Sequence, residues 1–438
     1  RRVCAWPRRS AGLGPPDADH LTEPCFADLP IRARAGRLCF SSVVFHSDWH
    51  FQPVAKGSAA RRRGAGITGY VKPLQQRRWP LGRWPEGSPE KAAQRRCSAW
   101  QGRGRMEGGR CGRGRPTGVD RPSHWYGIKS GDLELGSCEV SIPDDHKIGK
   151  LESPSPYSVN WHSNPGRFVV LMRVARLTSP EFCEGLRQAV ARSTDRQLLV
   201  FVHGYRVSFE DAARRTAQLG EDLDIAAPVL FSWPSQGRLR AYGADAVMAE
   251  RSVPRLVEFL DLVAAESSAD VVHLIAHSMG SVALSKAVIE YLATRRHNAA
   301  PKIRELILAA PDIDAEIFSN QIAPKIAGRG PRMTVYASRR DYALLASRWL
   351  RSGLSRAGFI EGTAPLVVPG VETVDVSAVN TECLSGLLMG HSYVGDRPEI
   401  VQDMYELLRF GKNASERFGN RPSLTNGSPY WIMKPRSA

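Results

Sequence analysis

The sequence predicts an α/β protein built on a mostly parallel sheet with helices on both faces. Two observations predict it. From Trp125 onward, short apolar runs rich in Val, Ile and Leu alternate with segments of helical period. Several of those runs are apolar throughout, as strands covered on both faces must be.

The expected strands are, in order, Cys138 to Ile142, Phe168 to Leu177, Leu198 to Val202, Val229 to Trp233, Val271 to Ala276, Ile303 to Ala309, Met333 to Ala337 and Thr373 to Val379. The expected helices are Phe209 to Leu223, Ala244 to Ala265, Val282 to Ala293, Ile317 to Ala327, Tyr342 to Leu350 and Glu399 to Leu408, each with a period near 3.6. Eight strands with interleaved helices is the α/β-hydrolase count. One helix start is signalled locally, because Ser208-Phe-Glu-Asp211 has the form of a capping box. That leaves His203 to Val207 as a tight loop at the carboxyl end of a strand, where open α/β sheets build their sites.

Residues 1–124 differ in kind. The chain of 438 residues has a formal net charge of +16. Of this, residues 1–124 hold 24 Lys and Arg against 9 Asp and Glu, whereas residues 125–438 hold 36 against 35. The basic part is punctuated by Gly, Pro and Arg, has no sustained period, and contains five of the eight cysteines. We read it as an extension that does not fold, with 125–410 as the folded α/β domain and 411–438 as a C-terminal tail. It has no module signature of a nucleic-acid binder, so its charge is not taken to imply nucleic acid. Beyond it, Cys138, Cys183 and Cys383 form neither a disulfide framework nor a metal site, which fits a reducing, cytoplasmic setting. No run approaches the ~18 apolar residues of a membrane span.

The motif that carries chemistry is Val271-Val-His-Leu-Ile-Ala-His-Ser-Met-Gly-Ser281. An apolar strand runs into Ala276-His277-Ser278-Met279-Gly280 and then directly into a helix, the setting of a nucleophile elbow. Small residues two before and two after the serine relieve crowding at the strained turn, and Ala276 and Gly280 supply them. A hydroxyl at neutral pH needs a base to activate it and an acid to orient that base. Two histidines follow Ser278. His297 ends the helix after the elbow, whereas His391, in Met389-Gly-His-Ser-Tyr393, sits in a loop after the last expected strand and is the expected base. Asp341, after the strand Met333 to Ala337, is the expected acid, and Asp312 is the alternative; either could instead cap a helix. The oxyanion hole needs two backbone donors, expected from Met279 and from Tyr205 in Phe201-Val-His-Gly-Tyr205, with His203, Gly204, His277 and Gly280 in support.

Together, Val200-Phe-Val-His-Gly-Tyr205, Phe231-Ser-Trp-Pro-Ser235, His273-Leu-Ile-Ala-His-Ser-Met-Gly280, Leu308-Ala-Ala-Pro-Asp-Ile-Asp314 and Gly390-His-Ser-Tyr393 resemble a bacterial family of α/β hydrolases of unknown function within the esterase and lipase superfamily. The resemblance covers roughly residues 125–410, with Cys138-Glu-Val-Ser-Ile-Pro143 fitting upstream. It implies the fold and a triad of Ser278, Asp341 and His391, with no established substrate.

The expected function is therefore a serine hydrolase acting on a small-molecule ester without metal or organic cofactor. Amidase or acyltransferase chemistry at the same triad, or a binding module that has lost turnover, are the alternatives. The chain from Pro311 to Gly330 is short for a lid, which predicts an open or lightly covered pocket. Nothing in the sequence sets the oligomeric state.

Overall fold

The computed structural model describes residues 38–46, 131–153, 164–294, 302–380 and 393–435. Contacts divide the chain into Arg1–Ala35 and Gly36–Ala438, and the described residues all belong to the second unit.

All eight expected strands are present: β2 (Leu133–Ser141), β3 (Val170–Leu177), β4 (Gln197–Val202), β5 (Ala227–Phe231), β6 (Val271–His277), β7 (Lys302–Ala309), β8 (Arg332–Ala337) and β9 (Val371–Asp375). Three more join them, β1 (Leu38–His46), β10 (Asn420–Thr425) and β11 (Ser428–Met433), giving one sheet ordered β10-β11-β9-β8-β7-β6-β4-β5-β1-β2-β3. Pairing is parallel from β11 through to β1 and antiparallel at the two ends.

Burial along each strand follows from its place. β4, β5 and all but the last residue of β6 are buried on both faces, and their sequences are continuously apolar or nearly so. β2, near one edge, alternates buried and half-buried residues over its second half. The principal helices are α1 (Ser179–Ala191), α2 (Phe209–Asp222), α3 (Tyr242–Arg251), α4 (Val253–Glu266), α5 (Gly280–Thr294), α6 (Tyr342–Leu350) and α7 (Pro398–Phe410). The segment expected as one helix from Ala244 to Ala265 is divided at Ser252, because Pro254 has no N–H to continue the ladder. The expected helix Ile317 to Ala327 is instead three short turns, Ala315–Ile317, Phe318–Ile322 and Ala323–Ile326.

Two expectations are corrected. Residues 38–46, read as part of a non-folding extension, form β1 between β5 and β2, since the run Leu38 to His46 is long and apolar enough to fill a sheet position despite its Arg- and Gly-rich flanks. Residues 411–438, read as a tail, contain the hairpin β10–β11, which turns at Asn426 and Gly427, both left-handed, and pairs β11 with β9.

One feature of the topology positions the site. β4 lies between β5 and β6, the two strands that follow it. The crossover to β5 carries α2, whose Phe209, Ala212, Ala213 and Ala217 pack on one face of the sheet. The chain leaving β6 enters α5, whose Ala283, Leu284 and Ala287 pack on the other. The connections therefore diverge above the carboxyl ends of β4 and β6 and leave a crevice there.

The loop after β2 is fastened beside this crevice by a buried ion cluster. His146 contacts Glu152 through Nδ1 (2.8 Å) and Asp222 through Nε2 (3.0 Å). Asp222 also accepts from Gly149 N (3.1 Å) and from Gln218 Nε2 (2.6 Å). With a carboxylate at each ring nitrogen, His146 must donate from both and so carry charge. Burial opposes that charge, but Asp222 and Glu152 outweigh it and push the pKa up to about 9.

A raised folded-state pKa stabilises fully below the unfolded value of 6.5 and loses that contribution as pH climbs through about 9. The charge-dependent gap in stability between the native chain and His146→Gln, on the order of 3 kcal/mol, is expected to be complete at pH 6, to shrink from there and to close above pH 9 in urea denaturation. A gap that stays constant across that range would show that His146 is not charged in the fold.

Candidate functional site

Ser278 stands at the junction of β6 and α5 with φ +52, a left-handed conformation that costs a residue with a side chain roughly 1–3 kcal/mol. Its neighbours hold it there. Ser278 N donates to the Ala309 carbonyl (2.9 Å) of β7, while the Ser278 carbonyl accepts from Ser281 N (3.0 Å) and Asp312 N (3.2 Å). Ala276 is fully buried, and Ser278 itself is 3% exposed.

The turn is crossed closely by the end of β4. A Cβ at Gly280 would overlap the His203 carbonyl oxygen and lie 2.9 Å from that of Val202. A Cβ at Gly204 would lie 2.8 Å from His277 Nδ1 and 3.0 Å from Ser278 Cβ. Neither position has room for a side chain. The two glycines let the loop after β4 and the first turn of α5 meet backbone to backbone around Ser278. The N-terminus of the fifteen-residue α5 adds its partial positive charge to the same place.

His203, expected in support, is structural. It is 1% exposed and stacks on Trp233 with ring centroids 5.0 Å apart. Its Nε2 accepts from Trp233 N (3.1 Å), so the proton sits on Nδ1, which donates to the Gly204 carbonyl (2.9 Å). Trp233 Nε1 returns a bond to the His203 carbonyl (2.7 Å). Burial drives the His203 pKa down to about 4, against the opposing pull of its backbone partners, so the ring is neutral. The ring thus ties the ends of β4 and β5 together. Tyr205 is anchored next to it, donating from its hydroxyl to the Arg238 carbonyl (3.0 Å) and meeting the Tyr242 ring edge-on at 5.4 Å. Met279 is 1% exposed.

The capping box of α2 forms as expected on the serine side, Asp211 N donating to Ser208 Oγ (3.1 Å). The Asp211 carboxylate accepts from the Ser208 hydroxyl (2.6 Å).

The two candidate acids differ in their surroundings. Asp312 is saturated: its Oδ2 accepts from the Tyr242 hydroxyl (2.7 Å) and its Oδ1 from the Ser347 hydroxyl (2.5 Å), with Arg356 Nε at 3.6 Å. Burial and the Asp312 charge raise the Tyr242 pKa, which keeps that hydroxyl protonated. Asp341 is fully buried and caps α6, its Oδ1 accepting from Leu344 N (3.0 Å). It follows β8, two strands from the β6 end that carries Ser278. At ~4.8 Å per strand this is about 10 Å.

His391 and His297 lie outside the described residues, as does Cys383. The described chain brackets His391 on either side. Asn380, after β9, donates to Ser338 Oγ (3.1 Å) at the carboxyl end of β8. The turn Tyr393–Asp396 is fixed to α2 by Gln218 Nε2 on the Gly395 carbonyl (2.8 Å) and by Arg215 on Asp396 (2.6 Å). Gly395 and Asp396 line a cavity of about 470 Å³ together with Phe201, Gly204, Ile275 and His277.

The cluster of Tyr242, Ser347 and Arg356 around Asp312 was not visible in the sequence, since its members come from separate elements with no fixed spacing. Asp245 was missed as well. It is fully buried and shapes the loop after β5 by accepting from Ser235 Oγ (2.7 Å) and Gln236 N (3.0 Å).

The doubly covered sheet and the left-handed serine between β6 and α5 define an α/β hydrolase. The chain belongs to the family described as alpha/beta hydrolase of unknown function (DUF900), whose model matches residues 179–409. Two solved structures of phospholipase PlaB from Legionella pneumophila are similar. One, in complex with thio-NAD, is 13% identical with a TM-score of 0.30, covering 55% of this chain and 68% of that one. The other is 12% identical with a TM-score of 0.25, covering 55% and 69%. No curated protein matches the chain.

Because the space at Gly280 is filled by two carbonyls, Gly280→Ala is expected to cost about 1–3 kcal/mol of stability and to shift the elbow, which thermal melts and the crystal structure of the variant would register. Native stability in that variant would mean that the close approach is not a constraint.

Proposed function

We propose that the chain is a serine hydrolase that cleaves ester bonds of small molecules, with Ser278 as nucleophile, His391 as general base and Asp341 as the acid that orients it. The observation that carries this is the left-handed Ser278 at the head of α5, held against a glycine loop by its own backbone. Strain of that kind persists where the surroundings enforce it, and what it achieves is a hydroxyl raised clear of the sheet edge.

Spacing supports the partners. A serine oxygen and a carboxylate joined by one imidazole stand roughly 7–8 Å apart, two hydrogen bonds of about 2.8 Å with a ring between them. The two-strand separation of Ser278 from Asp341 suits this better than Asp312, one strand away and already engaged by two hydroxyls. His391 precedes Gly395 by four residues in the sequence, and Gly395 lines the same cavity as His277.

The steps then follow. Ser278 Oγ attacks the ester carbonyl as His391 takes its proton, and Asp341 stabilises the imidazolium. The backbone N–H groups of Met279 and Tyr205 receive the oxyanion. His391 returns the proton to the leaving alcohol; a water then attacks the acyl carbon as His391 takes its proton, and His391 gives that proton to Ser278 Oγ as the acid leaves. The same machinery would open an amide or pass the acyl group to another acceptor.

Ser278→Ala is expected to abolish labelling by a fluorophosphonate probe and all turnover of a panel of short-chain esters, with the melting curve retained. Labelling that survives would move the nucleophile elsewhere, and a native chain that neither labels nor turns over would leave a binding module.

The carboxylates separate by a second comparison. Asp341→Asn is expected to lower turnover by about four orders of magnitude with wrong orientation of the base. Asp312→Asn is expected to cost about 1–3 kcal/mol of stability through the Tyr242 and Ser347 hydroxyls and little rate. The reverse result would exchange their roles.

A further inference from the structure

The connection from β8 to β9 leaves and re-enters the carboxyl edge of the sheet. It departs at Ser338, forms α6, and returns where Ser338 N donates to the Gly358 carbonyl (3.0 Å) and Gly358 N to the Pro311 carbonyl (3.0 Å). Pro311 precedes Asp312, whose N–H bonds the Ser278 carbonyl. The excursion is therefore rooted beside the elbow.

Its tip is unusually apolar for a surface. Trp349 is 76% exposed, Leu350 66% and Leu354 55%, all within six residues at the end of α6. Ile317, 42% exposed, belongs to the neighbouring turn, which Ala315 N joins to the Ser355 carbonyl (2.9 Å). Single exposed apolar side chains are ordinary, but several large ones together mark a surface that meets an apolar phase or partner.

Charge selects the partner. Between Ser338 and Glu361 the chain carries Arg339, Arg340, Arg348 and Arg351 besides the buried Arg356, against Glu361 and the buried Asp341. Arg348 pairs with Glu361 (2.8 Å) and Arg339 with Asp375 (3.4 Å), so among the described residues the positive excess rests on Arg340 and on Arg351, which donates to the Tyr242 hydroxyl. Residues 125–438 as a whole are nearly neutral, with 36 basic against 35 acidic residues, so this local excess is distinctive. A tryptophan and leucines with Arg348 and Arg351 beside them in the chain and Arg340 before the helix match the two layers of a lipid surface with acidic headgroups, acyl chains for the former and phosphates for the latter.

We infer that the tip of the β8–β9 excursion, Trp349, Leu350 and Leu354 with their flanking arginines, docks the protein onto an anionic lipid surface with the Ser278 edge facing it. This goes beyond the reading of Ser278 as nucleophile and is measured without turnover.

The test uses the full chain with vesicles of phosphatidylcholine, with and without phosphatidylglycerol, and brominated lipids as fluorescence quenchers. Binding is expected to favour the vesicles with phosphatidylglycerol and to weaken about tenfold in a Leu350→Ser, Leu354→Ser variant. Arg340→Glu is expected to weaken it by at least about fivefold. The difference in quenching between the native chain and Trp349→Phe isolates Trp349 from the other tryptophans and from anything the basic N-terminal region contributes. Equal quenching in the two, or unchanged affinity in the leucine variant, overturns the inference. So does a native chain whose self-association, measured without lipid by sedimentation, is lost in the leucine variant, since the patch would then join copies of this chain. Vesicle binding that persists in Ser278→Ala, with soluble-ester turnover absent from the native chain, would end the hydrolase reading alone; the opposite pair of results would end the docking alone.

Discussion

The carbonyls of Val202 and His203 lie against the first turn of α5 at a distance that admits no side chain at Gly280, and Gly204 is pressed in turn against His277 and Ser278. Much else at the carboxyl edge follows from this contact. It requires β4 and β6 to be adjacent, which the return of the chain from β5 to the other side of β4 provides. It also requires α2 and α5 to leave on opposite faces, because helices on the same face would occupy the space that the loop and the turn now share. The positive φ of Ser278 is sustained by the same packing, with backbone bonds to Ala309, Ser281 and Asp312 fixing the peptide on either side.

Around that contact the polar groups serve mainly to hold backbone. Neutral His203 locks the ends of β4 and β5 to each other through one tautomer, and an imidazolium there would forfeit the Trp233 N–H bond. Asp312 gathers hydroxyls from α3 and α6, so that helices from two different crossovers register on the residue whose N–H supports Ser278. His146 does the equivalent on the opposite side, joining the loop after β2 to α2 through Asp222. The Asp312 and His146 networks hold buried charge compensated by several partners, the condition under which such groups specify an arrangement rather than merely cost desolvation.

How much of this could be read in advance depends on whether the signal is local. The strands β4 to β8 were legible because burial on both faces demands continuous apolar runs, and the elbow was legible because strand, turn and helix are contiguous in sequence. Helix α1 went unread although Thr178-Ser-Pro-Glu181 contains both a capping box and an early proline; Thr178 N does donate to Glu181 (2.8 Å). The hairpin β10–β11 also carried its signal, Asn426-Gly427 between strand-like segments, and was passed over because the stretch lies beyond the last apolar helix. β1 had no such local mark. Its place is set by partners β2 and β5, each more than 85 residues away in sequence. Asp341 and Asp312 have similar local settings, since both follow strands and precede helical turns, whereas the hydroxyls that converge on Asp312 come from α3 and α6, far from it in sequence.

The connection after β7, whose shortness predicts an open pocket, folds as three tight turns. The longer connection is one strand further on, from Ser338 to Gly370 between β8 and β9. Its length is visible in the sequence, but α6 within it reads as an ordinary crossover helix. What the periodicity could not convey is that the chain returns to the same edge of the sheet from which it left, as the bonds of Gly358 and Ile360 to Pro311 and Ser338 establish. A crossover helix would bury its apolar stripe along the sheet. A helix that turns back within nine residues can bury only its root, here Leu344 and Ser347, and so leaves Trp349 and Leu350 in contact with whatever lies outside. The exposed apolar tip is thus a consequence of topology, and the arginines beside it determine what kind of surface it can meet.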